Sequence, residues 1–215
     1  ETINLIIDYC STDKRDEINL PTLGPLALLV PIEMNNFYID YSTLPERLRH
    51  LFWGIPLDNQ NFKGQLLEDA INLKTPHVHG GELKSINDGS REIDYSQKIG
   101  DILIIVECKA VNMGFGVYLG KYKAIKYREE QVVNRSLSEV NDKAKWLARN
   151  PKGTNYDISD VKFILPIGVS AFVEYIHSLN EYYWIDESTP RVLSFDEFNE
   201  FMNMDQDLST KKNLI

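Results

Sequence analysis

Cysteine is scarce in this 215-residue chain, with Cys10 and Cys108 its only two. Two thiols cannot build a disulfide framework, and without a Cys-x-x-Cys pair they outline no zinc site. A reducing, cytoplasmic setting is therefore expected. No apolar run approaches the ~20 residues that span a bilayer, so no membrane partner is expected. The opening stretch Glu1 to Cys10 lacks a basic segment followed by a long apolar one, and no secretory signal is expected there. The chain begins on Glu1 rather than Met, which points to a trimmed chain or a domain of something longer. Repeats and low-complexity segments are also lacking. Gly114-Phe115-Gly116 with Gly120 is not a phosphate loop, because no Lys-Ser/Thr follows at the needed spacing.

Positive charge is in short supply too. The net charge is −9, which argues mildly against nucleic acid as a partner. The deficit is uneven. Lys109 to Lys152 holds ten Lys/Arg against four Asp/Glu, a local balance of +6. A basic stretch on an acidic body is compatible with gripping phosphates locally, and equally with a solvated helix face.

What is present reads as alternating elements. Residues 1–58 are expected to form an N-terminal extension packed on the core. Leu26 to Met34 is strand-like and can pair with Phe37 to Tyr41 across Asn35-Asn36. Thr43-Leu44-Pro45-Glu46 reads as a capping box before a helix through Leu48, Leu51 and Phe52. A second helix spans Asn59 to Leu73, with Phe62, Leu66, Ala70 and Leu73 at helical spacing and so facing the core. Short strands follow, at Leu83–Asn87 and Arg91–Lys98, with turn signals at Asp88-Gly89 and Gly100-Asp101. Ile102 to Val106 is a continuous apolar run, as a strand buried on both faces requires. Val133, Leu137, Val140, Ala144 and Leu147 form one apolar helical stripe. Val161–Val169 and Val192–Ser194 read as strands, Phe195–Met202 as a helix, and 205–215 as a frayed tail. The fold class is α/β, a mixed sheet flanked by helices, with residues 59–204 as its main domain.

The chemistry-bearing constellation sits where the apolar strand ends, at Glu107-Cys108-Lys109. Glu107 and Lys109 are two residues apart and project from the same face. A carboxylate and an ammonium at the mouth of an apolar strand are costly to bury without a purpose. The turn at Gly100-Asp101 folds back the preceding strand and can bring Asp94 beside Glu107. Two adjacent carboxylates repel unless a cation lies between them. Magnesium suits such a place, since it takes oxygen ligands and commonly uses one or two carboxylates plus substrate phosphate. It would acidify a water and offset charge on a phosphate, with Lys109 near the same water.

The stretch Glu92-Ile-Asp-Tyr-Ser-Gln-Lys-Ile-Gly-Asp-Ile-Leu-Ile-Ile-Val-Glu-Cys-Lys-Ala110 resembles the signature of the PD-(D/E)XK, or restriction-endonuclease-like, nuclease superfamily. The resemblance covers roughly residues 59 to 173. It implies a core of helix, three strands, helix and strand. It also implies a Mg²⁺-dependent nuclease, with Mn²⁺ able to substitute, and DNA as the expected partner. Asp94 and Glu107 would hold the metal with the backbone carbonyl of Cys108, and Lys109 would assist the water. Lys63-Gly64-Gln-Leu-Leu-Glu68 is similar to the helix that carries an additional Glu in such proteins, which adds Glu68 to the catalytic set. The family's Pro before the first Asp is replaced by Ile93. Gln131 on the long helix matches a position from which a Gln or Lys approaches the site in some relatives. Lys121 and Lys123, interleaved with tyrosines, are candidate phosphate contacts. Cleavage of both strands calls for a homodimer or a further domain.

Two other readings stand beside this one. A nuclease fold can persist as a binding or assembly module without turnover. His77-Val78-His79 with Glu82 can bind zinc, iron or manganese, although the second histidine motif of a cupin site is missing.

Overall fold

The computed structural model describes residues 30–33, 36–38, 41, 44–45, 48, 61–74, 80–111, 113–118, 120–204 and 208–215. The chain divides into two units, Glu1–Asp58 and Asn59–Ile215. In the first, β1 (Val30–Glu33) and β2 (Asn36–Tyr38) pair antiparallel, with a register shift between Pro31 and Glu33. Leu44, Pro45 and Leu48 are helical, while Thr43 and Glu46, the two ends of the expected capping box, lie outside the described residues.

The second unit opens with α1 (Asn61–Lys74). Its buried face differs from the one expected. Leu67 and Ile71 enter the core, whereas Leu73 is 86% exposed. Phe62/Leu66/Ala70/Leu73 and Leu67/Ile71 are both acceptable helical spacings, one residue apart. The tertiary fold buries the second fully, leaves Leu66 and Ala70 half-buried, and brings Glu68 within electrostatic range of Asp94 and Glu107. β3 (Gly81–Lys84) and β4 (Ser90–Ile93) then form a two-stranded antiparallel sheet. The single strand expected from Arg91 to Lys98 is broken at Asp94. Beyond that bend the chain continues as β5 (Tyr95–Ile99), which belongs to a different sheet.

That sheet has four strands in the order β5-β6-β7-β8, with β6 at Ile102–Lys109, β7 at Phe163–Ser170 and β8 at Val192–Ser194. β5 and β6 are antiparallel, and the later pairings are parallel. Gly100 (φ 57°) and Asp101 close the β5–β6 hairpin. Positive φ at the first turn position alone is the pattern of a type II′ turn, which requires glycine there. All six residues from Ile102 to Glu107 are buried, as the unbroken apolar run implies.

The β6-to-β7 crossover is helical, as a parallel pair needs. It comprises α2 (Phe115–Tyr118), α3 (Tyr122–Arg128), a π-helical segment Glu129–Asn134 and α4 (Arg135–Arg149). Leu137, Val140, Ala144 and Leu147 are buried as their stripe requires. Leu103, Ile105 and Ile164 pack with Val140, Ala144 and Leu147 in one cluster. The odd-numbered side of β6 therefore faces α4. Gly168, opposite Glu107 in the parallel register, lets α4 come close: a Cβ there would stand 2.4 Å from Ser136 Oγ and 3.1 Å from Val192 Cγ2. α5 (Phe195–Asn203) begins with a complete capping box between Ser194 and Glu197.

Fraying of the tail is not what the structure shows for residues 208–215. Ile164 and Ile215 exchange two backbone hydrogen bonds, of 2.8 and 2.9 Å, and Lys211 pairs with Asp186 at 2.7 Å. The tail thus extends the pairing of β7 at its entry, a long-range contact invisible in a polar C-terminal sequence. Among the described residues, no helix is long and apolar enough to cross a membrane.

Candidate active site

The β5–β6 ladder ends at Tyr95 and Val106. One further step would set Asp94 opposite Glu107. The chain instead leaves the sheet at Asp94, and the carboxylate occupies the position the ladder vacates. The backbone N–H of Cys108 donates to Asp94 Oδ2 at 2.7 Å, so Asp94 caps a strand donor that has lost its β5 partner. Its side chain is 13% exposed, which rules out a loose surface aspartate.

Glu107 and Lys109 point together toward α4. Lys109 Nζ donates to Glu107 Oε1 at 2.7 Å and to Glu139 Oε2 at 2.5 Å. Arg135 Nε holds the other oxygen of Glu139 at 2.7 Å. Lys143, one turn beyond Glu139, reaches both strand carboxylates. Its ammonium lies 3.2 Å from Asp94 Oδ1 and donates a short hydrogen bond to Glu107 Oε2. A single cation therefore already sits between the two carboxylates that the sequence pairs.

The electrostatics follow from this crowding. Burial pushes the Glu107 carboxyl up, Asp94 adds to the rise, and Lys143 and Lys109 oppose it. Glu68 is raised to about 7 by burial, with the Asp94, Glu92, Asp69 and Glu107 charges reinforcing it. Glu68 thus belongs to the same negative cluster. The Cys108 thiol is pushed well up by burial and by Asp94, Glu68 and Glu107. The contact Cys108 makes with Asp94 is main-chain, through its N–H. Burial favours the neutral amine at Lys109 and Lys143, yet their carboxylate partners win and both are raised. Glu139, also opposed by burial, is held at about 2 by Lys109 and Arg135.

Asp94, Glu107 and Lys109 are therefore brought together as the sequence expects, with Glu68 in electrostatic range. Lys143 and Glu139 were missed. Their only signal was an acid–base pair at i,i+4 beside the apolar stripe of α4, which ordinarily marks a solvated face. Gln131 lies half-buried in the π-helical segment, and among the described contacts it makes none with Asp94, Glu107 or Lys109. Lys121 and Lys123 are exposed at the start of α3. His77 and His79 lie outside the described residues. Glu82 stands exposed on β3, paired with Lys84 and Ser90.

Among the described residues, no three His, Cys, Asp or Glu side chains form a ready metal cage. The residues nevertheless fit a hard divalent ion of the magnesium kind, which needs only one or two carboxylates and draws its remaining ligands from water and substrate. The stand-in is Lys143, a cation placed between Asp94 and Glu107. Comparison with protein-family models, curated proteins and solved structures gives no match to this chain.

Proposed function

We propose that this chain is a magnesium-dependent phosphodiester hydrolase of the restriction-endonuclease-like, PD-(D/E)XK type, cutting DNA in a restriction or defence role. One observation carries the reading. Asp94, at the bend that precedes β5, and Glu107, on β6, share one cation position, with Lys109 on the same face of β6 two residues on. A bound Mg²⁺ would acidify a water and offset charge on the scissile phosphate. Asp94 and Glu107 would hold it, with the Cys108 carbonyl alongside. Asp94 also fixes the strand end through the Cys108 N–H, so its second oxygen, which faces Lys143, keeps one direction. Lys109, charged and steered by Glu107 and Glu139, would orient the attacking water and face the developing negative charge. Glu68, raised to about 7 by burial and the neighbouring carboxylates, can exchange a proton there or complete the acidic wall.

The test is magnesium-dependent cleavage of plasmid and oligonucleotide DNA. Asp94→Ala is expected to abolish cutting, and Lys109→Met to slow it by about a hundredfold or more. Full cleavage by Asp94→Ala would refute the assignment. A second reading, a binding or assembly module that keeps this architecture without turnover, draws support from Lys143, which already neutralises the carboxylates. It predicts no cleavage by the wild-type chain under any divalent ion.

A further inference from the structure

The π-helical segment Glu129–Asn134 faces the chain leaving β7 across a cavity of about 490 Å³. That volume suits a small ligand group. Val117, Ile125, Val133 and Val173 form apolar walls. Arg128 and Glu174, both buried, supply the polar base. Arg128 Nε and Nη2 donate to the two Glu174 oxygens at 2.8 and 2.5 Å, and Ser170 Oγ donates to the same carboxylate. Tyr175, 75% exposed, stands at the rim with its ring stacked near His177 (6.3 Å between centroids, 19° between planes). π-Helical turns concentrate at functional sites, and this one shapes one wall.

Two observations say what the cavity takes. The first is charge. Lys121, Lys123 and Lys126 are exposed at the start of and along the adjoining helix, ahead of Glu129, which lines the cavity, and Glu130. Such a flank attracts a polyanion. The second is continuity with the carboxylate cluster. Ala171 N donates to the carbonyl of Lys109 at 3.4 Å, and Arg128 Nη1 donates to the carbonyl of Val111 at 3.2 Å. Two residues of chain extend at most about 7 Å. The base of the cavity thus lies within about 10 Å of the Lys109 backbone, no more than about three steps of a stacked strand at ~3.4 Å each.

We propose that this cavity receives one unstacked nucleobase of the strand whose phosphate lies at Asp94, Glu107 and Lys109. The inference rests on the nuclease reading and adds a substrate preference to it. Apolar walls accept any base, Tyr175 stacks at the mouth, and the lysines of α3 hold the neighbouring phosphates. An intact duplex must first release a base, so single-stranded or distorted sites bind best.

The test uses the full chain and two variants, Val173→Trp and Tyr175→Ala. Val173 is 60% exposed, so the tryptophan can fill the cavity from its open side without entering the core. Binding of a fluorescent single-stranded DNA and of its duplex is measured by anisotropy without divalent ions. 2-Aminopurine emission reports whether a base unstacks, and thermal melts check folding. The expected result is tighter binding of the single strand by the wild type. Both folded variants should lose about tenfold or more of that affinity, together with the 2-aminopurine change. Unchanged affinity in both variants, beside Asp94-dependent cleavage by the wild type, overturns the cavity assignment alone. A wild type that neither binds nor cuts DNA overturns the nuclease reading and this inference with it.

Discussion

Glu68 is the residue whose titration reports most directly on the crowded carboxylates. Its folded-state value of about 7 exceeds the 4.5 of a free glutamate, because burial and the Asp94, Glu92 and Asp69 charges disfavour ionisation. The folded chain therefore binds more protons than the unfolded chain between these values, and stability contributed by this group falls as pH rises from about 4.5 to 7. Glu68→Gln should flatten that slope in urea titrations taken across the window, and an unaltered slope would place Glu68 outside the cluster. Lys143 makes the converse case. It is the counter-charge for two nearly buried carboxylates, and removing one partner of such a group costs on the order of 3 kcal/mol. Lys143→Met should therefore unfold at lower denaturant without metal and regain stability with added magnesium, read by chemical denaturation in both conditions. Loss of stability that magnesium does not restore would count against a shared cation position.

At the scale of elements, the site depends on β6 being gripped on both sides. Gly168→Val on β7 would drive a branched side chain into Ser136 and Val192 and push α4 away from Glu107. A loss of about 1–3 kcal/mol is expected from such overpacking, measured by thermal or urea unfolding. Element type was readable where one pattern dominated. The apolar run of β6 and the stripe of α4 leave little choice of period, and Gly100 dictates its turn. Glu107 and Lys109 were readable for the same reason, since strand alternation sets them on one face, and the two-residue turn returns the start of β5, next to Asp94, to their side. Three features were not readable. The buried face of α1 was ambiguous between two spacings one residue apart. The break at Asp94 depends on two sheets competing for one strand. Lys143 and Glu139 enter only through the height at which α4 crosses β6, which no local pattern encodes.

At the scale of the molecule, charge is what must be reconciled with a polyanionic substrate. The chain is acidic, at −9, and the proposed grip falls to the locally basic crossover between β6 and β7. Replacing Lys121, Lys123 and Lys126 together with alanine should weaken DNA binding and lower the salt dependence of log K by about two units, at roughly 0.7 per single-strand phosphate contact. An unchanged salt slope would move the nucleic-acid path elsewhere. Whether a homodimer or a further domain supplies a second cutting centre belongs to the same proposal, and sedimentation with and without DNA addresses it. The proposed chemistry requires a divalent ion seated between Asp94 and Glu107. Calorimetric titration of manganese into the wild type and into Glu107→Gln tests that directly. Saturable binding by the wild type that disappears in the variant is the expected result; equal heats from both, or none from either, would contradict it.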